Sequence, residues 1–132
     1  MSTPERAIVE EMFAAFADQN LAAAVDTVSE DVVWIHHGSQ KLPSVRFIGK
    51  NGVKQFFETN FSTLRTDYFR VKQLYQQGNV VIVIGEEKFT KLDGSDVLQQ
   101  QWVQVYTVKD SLISRLEEFA SSALPADYLD VQ

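Results

Sequence analysis

The chain contains no cysteine, so it can form neither a disulfide bond nor a thiolate metal site. It also has no apolar run approaching the roughly 18 residues that a membrane-spanning helix needs. Lysine and arginine are few, 12 against 18 acidic residues, and the net charge is -6. That charge repels phosphate backbones, which argues against nucleic-acid binding. With a polar N-terminal segment in addition, these absences predict a cytoplasmic protein that engages neither membrane nor nucleic acid.

The residues that are present favour a packed core. Hydrophobic residues make up 45% of the 132 residues, and phenylalanine alone occurs 9 times. A chain of this length fits one domain and leaves little room for a second. We therefore expect residues 1–132 to form a single domain.

The first half of the chain shows helical periodicity. Ser2 or Thr3 can cap a helix that begins at Pro4, and apolar residues then recur at helical spacing up to Phe16. Asn20 is expected to cap a shorter second helix with apolar positions at Leu21, Val25 and Val28, and Gly49–Gly52 open a third. Between the last two helices, the β-rich run 31–36 predicts a strand, and the segment 38–48, which contains Pro43, predicts a loop.

The second half of the chain shows strand patterns separated by turn residues. Strands are predicted at about 68–76, 80–91, 97–109 and 112–119, with turns at 77–79, 93–94 and 109–110. Three helices in the N-terminal half, followed by a meander of long strands, predict an α+β fold. In this fold the helices pack on a curved, mixed and mostly antiparallel sheet.

One strand is apolar on both faces. In the run Val80–Ile84 every residue is valine or isoleucine, whereas a strand with one solvated face should alternate. The helices can cover one face, and a second copy of the chain would cover the other, which predicts a homodimer through the outer face of the sheet. The alternative is a central strand covered at one end by a loop or tail of the same chain.

Several segments, taken in order, resemble SnoaL-like proteins. These are Phe13–Phe16, Asn20-Leu21, Ser29–Trp34, Gly49–Val53 with Phe56-Phe57, and Val105–Asp110 followed by Ile113 and Glu118-Phe119. The wider group is ketosteroid-isomerase-like, shares the fold of nuclear transport factor two, and includes polyketide cyclases. The resemblance implies a cone-shaped α+β barrel with an internal pocket, commonly dimeric, with no metal or organic cofactor. It also implies a small hydrophobic or amphipathic molecule as the ligand.

His36 is the candidate catalytic residue. The resemblance places it where ketosteroid isomerase has its carboxylate base. An imidazole, with an unperturbed pKa of about 6.5, suits proton abstraction next to a carbonyl group at neutral pH. Alternatively, His36 only hydrogen-bonds a neighbour at the strand end. A metal pair with His37 is disfavoured because adjacent strand residues point to opposite faces.

The chain departs from the family at other catalytic positions. The isomerase tyrosines fall on Met12 and Phe57, and its protonated aspartate falls on Gln104. The acid/base aspartate of the cyclases falls on Ser121, which would need a partner such as His36 to act as a nucleophile. Two hypotheses therefore stay open: a cofactor-independent isomerase, cyclase or lyase with His36 as the base, or a non-catalytic ligand-binding or dimerisation domain.

Alternation along the strands adds pocket candidates. Glu86 and Glu87 face opposite ways, so one of them could enter the pocket with a raised pKa. Arg115 and Glu117 share a face and could equally pair across an ordinary core. Polar groups among aromatic rings are typical of a ligand site. The predicted pocket lining is Phe13, Phe16, Trp34, Phe57, Trp102, Gln104, Tyr106, Glu117, Phe119 and Ser121.

Overall fold

The computed structural model describes residues 2–132 and contains three helices, six strands and one short 3₁₀ turn. The elements in chain order are α1 (Pro4–Ala17), α2 (Leu21–Val25), β1 (Val28–His36), β2 (Val45–Ile48), α3 (Gly49–Thr63), β3 (Leu64–Gln77), β4 (Val80–Lys91), β5 (Val97–Lys109), β6 (Leu112–Ser121) and the 3₁₀ turn Pro125–Asp127. In the described part of the chain, no helix is long and apolar enough to cross a bilayer.

The six strands form one mixed sheet in the order β2-β1-β6-β5-β4-β3. Only β1 and β6 run parallel, and every other neighbouring pair is antiparallel. The sheet stays open, with β2 and β3 as its edges. The predicted α+β fold, with helices of the N-terminal half on a mostly antiparallel sheet, is confirmed.

Helices α1 and α3 cover the inner face of this sheet through aromatic contacts. The first helix begins as predicted, because the hydroxyl of Thr3 accepts a hydrogen bond of 3.1 Å from the backbone N–H of Arg6. Phe16 of α1 lies 6.4 Å from Phe57 and 6.0 Å from Phe61 of α3, measured between ring centroids. These rings join the two helices into one layer over the strands.

The short strand β2 corrects the prediction of a loop over residues 38–48. Val45–Ile48 pairs with the end of β1, placing Trp34 opposite Phe47. The strand has only four residues, three of them exposed, so it carries no alternation that the sequence could show. The structure also moves Val28 from the second helix to the start of β1.

Because residue 85 is glycine, the ring of Trp102 on β5 can pack directly against the backbone of β4, next to β3. A Cβ atom at this position would lie 2.4 Å from the carbonyl oxygen of Arg70 and 2.5 Å from the ring of Trp102. Trp102 in turn stacks on Phe69, with ring centroids 5.0 Å apart. The tryptophan ring thus occupies the space that any larger residue at position 85 would need.

We therefore expect Gly85→Ala to lower the free energy of unfolding by about 1–3 kcal/mol, because one methyl group overpacks this contact. Urea denaturation of both proteins measures the difference, and the near-ultraviolet circular dichroism should change as the Trp102 ring shifts. An unchanged free energy of unfolding would contradict the tight contact.

Candidate functional site

A cavity of about 130 Å³ lies between the helices and the inner face of the sheet. Its walls are mostly aromatic and apolar, and polar groups are confined to the strands and one position of α3. The lining residues are Met12, Phe13, Phe16, Trp34, His36, Leu42, Phe56, Phe57, Asn60, Leu64, Phe69, Glu87, Phe89, Leu98, Gln100, Gln104, Tyr106, Leu116 and Glu118.

Strand register brings three polar residues into one row across the sheet. His36 on β1 lies opposite Glu118 on β6, which lies opposite Gln104 on β5. The imidazole Nδ1 is 3.2 Å from Glu118 Oε2, and the Gln104 amide donates to Glu118 Oε1 at 2.8 Å. Tyr106 completes the chain by donating from its hydroxyl to Gln104 Oε1 at 2.5 Å. The hydrogen bond from Gln104 and the close contact with His36 Nδ1 hold the Glu118 carboxylate in one orientation.

His36 lies at the cavity wall with a neutral imidazole at pH 7. Burial lowers the pKa of its imidazole, Glu118 opposes that shift, and His37 adds to it. Because the Glu118 carboxylate can only accept, we assign the imidazole proton to Nδ1, which leaves the lone pair on Nε2. The imidazole lies 4.9 Å from the ring of Phe56, measured between centroids.

A second polar pair, Glu87 and Gln100, enters the same cavity from β4 and β5. The two residues are directly opposite in the register, and the Gln100 amide donates to Glu87 Oε2 at 2.6 Å. Glu87 is 6% exposed. Burial, with the charge of Glu118 as the next cause, raises the pKa of Glu87 to about 8. Glu87 is therefore protonated at pH 7.

Two buried polar atoms of the lining have no hydrogen-bond partner within residues 2–132. They are the indole Nε1 of Trp34, a donor, and the amide Oε1 of Gln100, an acceptor. A buried polar group without a partner costs about 1–3 kcal/mol. A bound molecule that offers an acceptor and a donor would remove this cost.

Most of the predicted pocket residues lie at the cavity. Seven of the predicted residues, on the helices, β1 and the inner face of β5, form part of the cavity wall. They are Phe13, Phe16, Trp34, His36, Phe57, Gln104 and Tyr106. Trp102 is buried behind that wall, between Phe69 and Gly85. Of the two adjacent glutamates on β4, Glu87 is the one that faces the cavity, while Glu86 faces outward and pairs with Arg70 at 3.1 Å.

Glu117, Phe119 and Ser121 lie on the outer face of the sheet, which corrects their predicted place in the pocket. Glu117 pairs with His37 at 3.1 Å, and Phe119 is 49% exposed and stacks on the His37 ring. The hydroxyl of Ser121 accepts from Gln40 at 3.3 Å and from the backbone N–H of residue 123. A serine nucleophile activated by His36 is thus incompatible with the structure.

A β-bulge near the start of β6 causes this error. Thr107 pairs with Arg115, but the next residue, Val108, pairs with Ile113, so β6 contains an extra residue near Ser114. Ile113 is buried, so strict alternation along β6 predicts that Arg115, Glu117 and Phe119 also face inward. Beyond the bulge, however, the residues that face inward are Leu116 and Glu118. The sequence carries no clear signal for the bulge, and Glu118 was missed as a pocket residue for this reason.

The family model described as a SnoaL-like domain matches residues 9–116. The chain belongs to this family. No curated protein shows a match to the chain. In residues 2–132, no group of three or more histidine, aspartate or glutamate side chains is arranged to hold a metal ion.

Solved structures with this fold cover nearly the whole chain. An NTF2-like protein from Burkholderia xenovorans is 22% identical, with 92% of this chain and 93% of that chain covered and a TM-score of 0.78. TerC, crystallised with polyporic acid, is 23% identical, with coverage of 89% and 91% and a TM-score of 0.71. A protein from Shewanella putrefaciens assigned as a SnoaL-like polyketide cyclase is 12% identical, with 91% of each chain covered and a TM-score of 0.74. At these identities the likeness shows a common fold, and function has to be argued from the cavity.

Proposed function

We propose that this protein binds a small carbonyl compound in its cavity and moves a proton at the carbon next to the carbonyl group. The reaction class is that of a cofactor-independent isomerase, cyclase or lyase. The observation that carries the proposal is the pair of His36 and Glu118, which leaves an unprotonated imidazole nitrogen at the wall of a largely apolar cavity.

The chemistry assigns each group of the row a role. His36 Nε2 takes the proton, and the charge of Glu118 stabilises the imidazolium that forms. Gln104 keeps the Glu118 carboxylate oriented while this happens. The unpartnered indole N–H of Trp34 is a suitable donor for the substrate carbonyl oxygen, where negative charge develops as the proton leaves.

The size of the cavity limits the substrate. At about 130 Å³ it is similar to an apolar cavity of about 150 Å³ that holds benzene. A second space of about 180 Å³ lies beyond Leu42 and shares His36, Phe56, Gln100 and Glu118 with the first. The cavity of about 130 Å³ therefore suits one small ring. A longer molecule would extend past Leu42 into the second space, beneath the loop before β2.

Deuterium exchange tests this proposal with cyclopentanone as the probe. In heavy water the protein should accelerate replacement of the hydrogens next to the carbonyl group, followed by proton nuclear magnetic resonance against buffer of the same pH. An exchange rate equal to that of buffer, although cyclopentanone is shown to bind, would overturn the proton-transfer function.

A binding function without chemistry is the second candidate. It is favoured by Met12 and Phe57, which line the cavity where the isomerase pattern has hydrogen-bonding tyrosines. In that case ring compounds would bind, as measured by a rise in melting temperature, and cyclopentanone would show no accelerated exchange. The same two measurements thus separate the two candidates.

We also propose that two copies of the chain pair through the outer face of the sheet. The outward side chains Val80, Ile82 and Ile84 are only half-buried in the single chain, and Tyr75, opposite Ile82, is 54% exposed. Burial of this apolar strip in a second copy would remove it from water. Light scattering at micromolar concentration should give the mass of a dimer, and a monomer would overturn this prediction.

A further inference from the structure

The proton-transfer scheme leaves one buried acid of the cavity without a role, namely Glu87. Its register partners are Phe69 on β3 and Gln100 on β5, so an aromatic ring and an amide flank its carboxyl group. Gln100 donates to one carboxyl oxygen and keeps its own Oε1 without a partner among residues 2–132. This end of the cavity thus presents two oxygen acceptors beside aromatic rings.

Among the described residues, the cavity lining is acidic and has no lysine or arginine to balance it. The described residues that line it include two carboxyl groups, Glu87 and Glu118, and neither lysine nor arginine. Glu118 is 5% exposed, and its neighbours are the amide of Gln104, which donates to Oε1, and the imidazole Nδ1 of His36, 3.2 Å from Oε2. Because buried charges in proteins are usually paired, a cationic ligand fits this acidic lining better than an anionic one.

We propose that the Glu87 end of the cavity binds the ammonium group of a small organic amine. The N–H groups of such a ligand can donate to Glu87 and to the free Oε1 of Gln100. The positive charge then lies near the Phe69 ring, an arrangement that adds a cation–π interaction. This inference rests on the proposed function and narrows its substrate to a compound that carries an amine as well as a carbonyl group.

The site also disfavours anions. A carboxylate ligand would be placed against Glu118 with no cation of the lining to receive it. A neutral alcohol can hydrogen-bond to the same oxygen acceptors, but it has a single O–H donor and no positive charge. The expected order of affinity is therefore ammonium first, alcohol second and carboxylate last.

Three cyclopentane derivatives test this order with one ring shape: cyclopentylammonium, cyclopentanol and cyclopentanecarboxylate. By isothermal titration calorimetry at pH 7, the ammonium compound should bind the wild-type protein about tenfold more tightly than the alcohol. The carboxylate should show no binding. Equal affinities for the ammonium compound and the alcohol would overturn the inference.

Glu87→Gln and Glu86→Gln are the matched pair of variants. At position 87 glutamine keeps the size of the protonated carboxyl group, so folding should be preserved and only the preference for the ammonium compound should disappear. At position 86 the same change removes an outward carboxylate that pairs with Arg70 and Lys72, and the preference should remain. A preference that survives Glu87→Gln would contradict the assignment.

Proton release gives a readout that a purely structural role of Glu87 would not produce. The titratable groups of the lining around Glu87 are Glu118 on β6, Tyr106 on β5 and His36 on β1, and α1, α3 and β3 contribute none. Binding a cation favours the ionised form of Glu87, so titrations in buffers of different ionisation enthalpy should show proton release. Release should be absent in Glu87→Gln.

Failure of this inference can be told apart from failure of the proposed function. If cyclopentanol binds and cyclopentanone exchange is accelerated while the ammonium compound has no advantage, only the amine specificity is wrong. If neither cyclopentanol nor the ammonium compound binds, the inference and the ligand-binding function are both wrong.

Discussion

Replacing His36 with glutamine is expected to reduce the protein-dependent exchange of cyclopentanone by about 10²–10⁴-fold, the usual contribution of a general base. Glutamine can still donate a hydrogen bond but has no basic nitrogen. The rate is measured by nuclear magnetic resonance in heavy water, with buffer alone subtracted. Cyclopentanone should still bind the variant, because the apolar wall is unchanged.

His37→Gln is the matched control for this change. The neighbouring histidine lies on the outer face, where it pairs with Glu117 and stacks on Phe119. The same substitution there should leave the exchange rate close to that of the wild-type protein. Equal losses in both variants, or a His36→Gln protein with full activity, would contradict the role of His36 as the base.

The pH dependence of exchange adds a second readout for His36. Burial lowers the pKa of this imidazole from its usual 6.5, so the residue stays neutral and active at pH 7. The rate should therefore fall only as the pH drops below about 6.5. A rate that already halves above pH 7 would mean that another group is the base.

The second large effect concerns stability rather than catalysis and is expected at alkaline pH. The carboxyl group of Glu87 titrates near 4.5 in the unfolded chain, but near 8 in the folded protein, chiefly because it is buried. Between these values the folded state holds a proton that the unfolded state has lost. Raising the pH through this window therefore destabilises the fold, by an amount on the order of a few kcal/mol once the pH exceeds about 8.

Glu87→Gln isolates this contribution because glutamine resembles the protonated carboxyl group and does not titrate. At about pH 5 the variant and the wild-type protein should have similar free energies of unfolding in urea. At about pH 9 the variant should be the more stable of the two. Effects of titrating groups that do not interact with Glu87 are common to both proteins and cancel in the difference.

The control for the stability experiment is again Glu86→Gln. This glutamate faces outward beside Arg70 and Lys72, so its replacement should leave the pH dependence of the wild-type protein in place. If the curves of the wild-type protein and Glu87→Gln run parallel from about pH 5 to pH 9, Glu87 does not hold its proton in the folded state.

Local sequence patterns identify the long elements of this fold and fail for the short strand β2. The three helices and β4 and β5 were predicted well because apolar periodicity extends over many residues there. Alternation also grouped Trp34 with His36, and Gln104 with Tyr106, since these strand segments contain no bulge. The four-residue strand β2 was missed because edge pairing with β1, rather than its own pattern, makes it a strand.

Apart from β2, the amino-acid sequence by itself determined the order of helices and strands, and with it the α+β fold and the shared face of Trp34 and His36. Only the tertiary structure decided which residues meet that histidine. The parallel pairing of β1 with β6 joins segments about 80 residues apart in the chain, and the bulge near Ser114 reverses the faces beyond it. Periodicity describes one strand at a time, whereas Glu118 and Gln100 acquire their partners through register between strands, which is a property of the assembled sheet.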